Sequence, residues 1–438
     1  MAGRKKRYAQ VGLGGRSIMY TEAIVGRYHE GCELVGLCDI NQSRMDLANR
    51  KIADRHAPVK TYQADEFDRM MAETRPDVVV VTSMDSTHNQ YICRAMELGC
   101  DAVTEKPMTT DETKCRQILK TIERTGRKLQ VTFNYRYAPP RSQVKEILAS
   151  GAIGDVLSVH YEWLLDTKHG ADYFRRWHRR RENSGSLLVH KATHHFDVVN
   201  WWIDDTPDTV FANGSRRYYV PATAEAMGLA GHGERCLGCP VSDRCKFYLD
   251  MSQYPRMREL YLDCEKDDGY FRDRCVFSDQ VNIWDTMSVA VRYRCGALMS
   301  YSLMAYAPYE GYRIAFTGTK GRLEHVACED TYMSGDGTVP GELKRGNTTI
   351  TLIPAFGAPR RIEVHTGKGG HGRGDDPLLA DVFDPDAPPD PLGRKADHRD
   401  GTRSILVGIA ACHSIDSGKA VSFRELLGDA YPLLDGKE

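Results

Sequence analysis

The chain has 438 residues, more than a single hydrophobic core comfortably serves, so two domains are expected. Its 41% hydrophobic and 27% charged residues exclude general disorder. A formal net charge of -1 supplies no field to draw nucleic acid or an acidic membrane, and no apolar run approaches the ~20 residues of a membrane helix. The basic residues Arg4 to Arg7 precede an apolar stretch too short for a signal-peptide core. Most of the thirteen cysteines stand alone in apolar patterns, as reduced, buried thiols do, so a cytoplasmic setting is expected.

The first ~135 residues alternate strand and helix patterns, which predicts a parallel sheet covered on both faces. Strands are expected at Tyr8–Gly12, Glu33–Asp39, Val78–Thr82, Asp101–Thr104 and Leu129–Phe133. Helices are expected at Ser43–Asp54, Thr87–Leu98 and Thr110–Thr125, the last with Thr110 as its cap. After Tyr137 the strands lengthen and alternate. Met287, Val289, Val291 and Tyr293 face one way, and Ser288, Ala290 and Arg292 the other, which predicts an antiparallel sheet with one wetter face. Further strands are expected at Val156–Trp163, Thr209–Ser215, Ala297–Tyr306, Tyr312–Thr317, Thr348–Ala355 and Arg361–Thr366, with a closing helix at Gly401–Gly418. The division is 1–135 and 136–438, with a cysteine-rich insert at about 216–278.

Gly12, Gly14 and Gly15, then Arg16 and Ser17, follow the first strand and open a helix. Gly12 permits the tight turn, Gly14 lets backbone approach a pyrophosphate, and the helix N-terminus offers amide donors. Ser17 replaces the third glycine of the usual fingerprint. Asp39, followed by Ile40, ends the second strand, where a carboxylate accepts ribose hydroxyls and repels a 2′-phosphate. NAD is therefore expected over NADP, with Arg16 and Arg44 as the residues that could answer a phosphate instead.

His190-Lys191-Ala192-Thr193-His194-His195-Phe196-Asp197 is the segment richest in chemistry. A continuous helix would put His190, His194 and Asp197 on one stripe, so that Asp197 orients the His194 ring, with Lys191 and His195 on the adjacent stripe. A neutral histidine is suited to taking a hydroxyl proton near pH 7. The alternatives are a buried structural pair or a metal pair, for which the sequence identifies no third ligand.

In the insert, Cys236, Cys239 and Cys245 have metal-knuckle spacing, and Cys264 and Cys275 are both available as a fourth ligand. A structural zinc is expected, with an iron–sulfur cluster or reduced, unligated thiols as the alternatives.

Together the segments at 11–16, 82–88, 105–107 (Glu-Lys-Pro), 133–137, 151–154, 190–202, 318–321 and 414–418 resemble the Gfo/Idh/MocA family of oxidoreductases over nearly the whole length. The resemblance implies a Rossmann domain followed by an α/β domain with a large, mostly antiparallel sheet. NAD lies between them along Gly12–Arg16, Thr82, His88, Glu105 and Asn134. It makes Lys106 the active-site lysine, with His194 as base and Lys191 as a second polar contact, since His190 stands where many relatives carry an aspartate. Trp177, His178, His190, His195 and His371 become substrate-side residues. Cys275 is preferred as fourth ligand because insert-bearing relatives end with a similar Arg-Cys-Val segment. The implied activity is oxidation of a secondary hydroxyl of a sugar, glycoside or cyclitol, with C3 of a glycoside as one form. A redox glycoside-cleaving enzyme without net NAD change and a non-catalytic sugar or NAD sensor are the alternatives. A homodimer or homotetramer is expected.

Overall fold

The computed structural model describes residues 4–328, 348–365 and 374–435. His371, an expected substrate residue, and the end of the expected strand at Arg361–Thr366 lie outside them. The strands run β1 Lys6–Val11, β2 Cys32–Asp39, β3 Thr61–Gln63, β4 Val78–Val81, β5 Asp101–Thr104 and β6 Leu129–Val131. Then come β7 Val156–Asp166, β8 Pro207–Ser215, β9 Thr286–Tyr293, β10 Leu298–Ala307, β11 Gly311–Gly318, β12 Gly321–Cys328, β13 Thr349–Pro354 and β14 Arg360–Ile362. Two short strands, β15 Ala396–Asp397 and β16 Val421–Ser422, complete the set.

The first sheet has the order β15-β6-β5-β4-β1-β2-β3, with β1 to β6 parallel and β15 antiparallel to β6. Its central strand β4 is buried at every residue, as four consecutive valines between covered faces require. The Rossmann-type parallel sheet is thus as expected, apart from β3 and β15, whose two or three residues are too short to show a period. The cap of the helix Glu112–Thr125 is Asp111, not Thr110: its carboxylate accepts from the Lys114 amide at 2.9 Å.

The second sheet runs β14-β13-β12-β11-β7-β10-β9-β8-β16. It is antiparallel except where β10 lies parallel to β7. On β9 the alternation is realised, with Met287, Val289, Val291 and Tyr293 buried and Ser288, Ala290 and Arg292 exposed. Against the inner face lies the helix Thr193–Ile203, buried from Thr193 to Trp202, with Phe196 edge-on to Tyr301 of β10 at 4.9 Å. The helix His398–Ser417, started by an Asp397–Asp400 capping box, packs on that helix and crosses to β6.

Candidate active site

Gly12, Asp85 and Lys106 stand just beyond the carboxyl ends of β1, β4 and β5, three adjacent strands, where open α/β sheets bind ligands. Gly12 has φ +83°, and a Cβ there would lie 2.4 Å from the Ser83 backbone, so only glycine lets these two loops meet. At Gly14 a Cβ would meet no atom within 4 Å: the loop turns toward open space, as a cradle must. Ser17 Oγ closes the turn on the Gly14 carbonyl at 2.7 Å. Asp39 accepts from the Leu13 amide at 2.5 Å and the Asn41 amide at 2.9 Å, so it braces the glycine loop. Burial pushes its pKa up, opposed by the Leu13 amide and the Arg44 charge. These residues fit a dinucleotide. Ile40 beside them is exposed.

Several of the expected cofactor residues also hold the protein together. Arg16 pairs with Glu105 at 2.6 Å and Asp375 at 3.0 Å, which leaves no free charge for a phosphate. Thr82 Oγ1 donates to the Gly12 carbonyl, and the His88 ring lies 2.8 Å from the Pro107 carbonyl and 3.1 Å from that of Ser83. Asn134 donates to Asp375 at 2.8 Å, while its Oδ1 is buried without a partner.

Lys106 Nζ lies 3.4 Å from His190 Nε2 and donates to the His190 carbonyl at 3.1 Å. The other ring nitrogen of His190 meets Asp85 Oδ2 at 2.5 Å. With the Nδ1 proton given to Asp85, Nε2 is left as an acceptor for the ammonium, so one neutral tautomer satisfies both contacts. Burial lowers the His190 pKa well below its usual value, and the Lys106 and Arg176 charges push the same way. Lys106 itself is lowered from 10.5 to about 8 by burial, opposed by Asp85 and Glu105. Beside His190, His178 stacks on Trp177 at 3.5 Å and meets the His190 ring edge-on at 4.1 Å. Asp85 is the member missed from the sequence. It stands in the 82–88 segment that carries the family resemblance, as a carboxylate in a loop at the ligand end of a parallel strand.

The histidine segment is not one helix. A short turn of helix, Leu187–His190, ends at Lys191 and a new helix begins at Thr193, so His190 and His194 share no stripe. Asp197 does not orient His194: both of its oxygens are taken by Arg136, at 2.6 and 2.8 Å. The pair is buried, and the guanidinium outcompetes an imidazole for a carboxylate. His194 stacks on Tyr135 with ring centroids 4.1 Å apart, and its Nδ1 is buried without a partner. The Lys106 charge acts on it, helping burial hold its pKa well below the usual value. Lys191 donates to the Tyr135 hydroxyl at 2.9 Å. His195, expected at the substrate, is fully buried on Trp163 at 3.9 Å and bonded to Tyr301 at 2.7 Å, so it belongs to the core.

In the insert, burial pushes the Cys275 thiol up to about 11, and the neighbouring Cys236, Cys245 and Cys239 add to this. Cys264 lies elsewhere, against Arg44. The thiols have protein partners. The Gly233 amide donates to Cys239 Sγ at 3.3 Å, and Cys275 Sγ lies 3.4 Å from His232 Nδ1. Among the described residues no group of three or more His, Cys, Asp or Glu side chains is arranged to hold a metal ion, so the expected zinc or iron–sulfur cluster gains no support.

The family description "Oxidoreductase family, NAD-binding Rossmann fold" matches residues 6–133, and "Oxidoreductase family, C-terminal alpha/beta domain" matches 145–423. The chain is similar to the putative oxidoreductase YteT of Bacillus subtilis, 36% identical over 431 residues, 95% of this chain and 97% of that protein. It is also similar to the inositol 2-dehydrogenase of Rubrobacter xylanophilus, 28% identical over 222 residues, 49% of this chain and 57% of that enzyme. The WlbA dehydrogenase from Bordetella pertussis, solved in complex with NADH and UDP-GlcNAcA, aligns with a TM-score of 0.62 over 97% of this chain and 99% of that one. At 18% identity that likeness shows the shared fold.

Proposed function

The chain belongs to the Gfo/Idh/MocA family of oxidoreductases, and from that premise we propose that it oxidises a secondary hydroxyl of a sugar, glycoside or cyclitol with NAD. The observation that carries this reading is the Lys106 ammonium, held by His190, whose ring is in turn bonded to Asp85, at the carboxyl end of the sheet that also bears the glycine loop. The glycine loop Gly12–Ser17 and Asp39 would hold the dinucleotide, whose nicotinamide would supply the acceptor for hydride from the substrate carbon. Lys106 donates a hydrogen bond to the oxygen on that carbon and favours its developing negative charge. His194, kept neutral, takes the hydroxyl proton. His190 and Asp85 are positioning residues that aim the amine, and Lys191 with Tyr135 borders the same space. Trp177 and His178 form the substrate-side wall next to His190.

NAD+ reduction measured across inositols, free sugars and glycosides with an open C3 hydroxyl tests this. Lys106→Ala is expected to lose about 10²–10³-fold in kcat/KM, and His194→Ala about 10²–10⁴-fold. Full activity in Lys106→Ala overturns the assignment. Aglycone release without accumulated NADH would move the chemistry to the cleaving route. The thirteen free thiols support a cytoplasmic setting. The exposed outer face of the second sheet, with Leu157 and Leu298 on adjacent strands, supports self-association into a homodimer or homotetramer.

A further inference from the structure

An arm of the insert, running from Pro255 to Tyr270, reaches across to the glycine loop and the turn after β2. The Tyr261 hydroxyl accepts from the Gly15 amide at 3.2 Å, and Arg256 donates to the Gly15 carbonyl at 3.0 Å. Asn41 donates to the Cys264 carbonyl at 2.9 Å, and the Ser43 amide to Asp267 at 2.7 Å. Lys51 pairs with Glu259 at 2.7 Å. The centre of the contact is Arg44. Its Nε donates to the Leu260 carbonyl at 3.2 Å, and its Nη1 lies 2.8 Å from Asp268 Oδ2 and 3.9 Å from Asp39 Oδ1. Tyr261 and Tyr270 lie about its guanidinium at 5.9 and 6.0 Å. The Arg44 side chain is nine-tenths buried and its Nη2 has no hydrogen-bond partner.

In a βαβ dinucleotide fold, this corner meets the adenosine ribose. A carboxylate at the end of the second strand accepts the 2′-hydroxyl, and a nearby arginine accommodates a 2′-phosphate. Here the arginine is present but already charge-matched from the other domain. We propose that Asp268, carried by the insert, occupies the Arg44 guanidinium and thereby excludes a 2′-phosphorylated dinucleotide. This inference rests on the reading of the site as a dinucleotide cleft. Asp39, Asp267 and Asp268 lie about Arg44 and Lys266, three carboxylates against two cations, so a phosphate of charge near −2 meets net repulsion. A neutral ribose diol brings no such charge and finds an acceptor in Asp39. The selectivity normally written within the first domain is thus completed by a segment more than two hundred residues later.

The test is binding of NADH and NADPH to the purified full-length chain, read by cofactor fluorescence without turnover. Asp268→Asn frees the Arg44 charge and is expected to lower the NADPH-to-NADH ratio of Kd at least about tenfold, the scale of one charge-assisted contact. Asp268→Glu keeps the wild-type ratio. If the buried variant fails to fold, Asp267→Asn, at an exposed carboxylate on the same corner, moves the ratio the same way by about two- to threefold. An unchanged ratio in a folded Asp268→Asn, or in Asp267→Asn where that variant stands in, overturns the inference while leaving the cleft. Failure of both dinucleotides to bind the wild-type chain overturns the proposed function with it.

Discussion

Lys106 carries a charge whose survival depends on its neighbours. Burial strips water from the ammonium and lowers its pKa from 10.5 to about 8, while Asp85 and Glu105 pull it back up and Lys191 and Arg16 push it down. Below that value the group is protonated and can donate to the substrate oxygen. Above it the donor charge is lost. The kcat/KM for oxidation is therefore expected to fall as pH rises through about 8. Asp85→Asn removes the anion that supports the charge, so the alkaline limb should move to lower pH in parallel profiles of the two proteins. A rate that climbs through the same range would make the neutral amine the proton acceptor instead.

His190 reaches Lys106 through a short piece of helix that depends on one glycine. Gly408 lies inside the helix His398–Ser417, where a Cβ would sit 2.2 Å from the Leu188 carbonyl. Replacing a helix-interior glycine with alanine ordinarily gains about 1 kcal/mol. Here the new methyl meets backbone of the turn Leu187–His190, and Gly408→Ala should instead cost about 1–3 kcal/mol, as overpacking does. Because Leu188 is two residues from His190, NAD+ reduction by the folded fraction should fall as well. Denaturant melts paired with activity assays check both. A stabilised, fully active variant would mean that the two helices slide apart without moving the site. The break between Leu187–His190 and Thr193–Ile203 also explains why helical periodicity misassigned this region. A stripe argument holds only while the helix is continuous.

Across the whole molecule, Arg136 ties three distant segments. It follows β6, pairs with Asp197 of the helix against the second sheet, and lies 3.3 Å from Asp400 of the C-terminal helix. Asp197→Ala leaves the buried guanidinium with the partly exposed Asp400 as its remaining carboxylate among the described residues, beside the Gly393 carbonyl. The expected cost is about 3–5 kcal/mol, read from the unfolding midpoint, with kcat per folded molecule retained. Loss of kcat at unchanged stability would instead restore an orienting role toward His194. The insert makes a second long-range tie through Arg44 and Asp268, so cofactor corner and second domain meet on a buried ion pair.

Local pattern made much of this chain legible. The glycine loop, the carboxylate ending β2, the all-apolar β4 and the alternation on β9 each depend on neighbours within a few residues, and backbone geometry fixes their meaning. The sequence by itself therefore determined the parallel sheet, the antiparallel sheet and the lysine at the end of β5. Only the tertiary structure decided what each polar side chain does. Asp197 went to Arg136, Asp85 to His190, Arg16 to Glu105 and Asp375, and Arg44 to Asp268. A buried charge seeks whichever opposite charge folding brings within reach, and those partners lie from about sixty to more than three hundred residues away. No period or spacing in the chain encodes that choice.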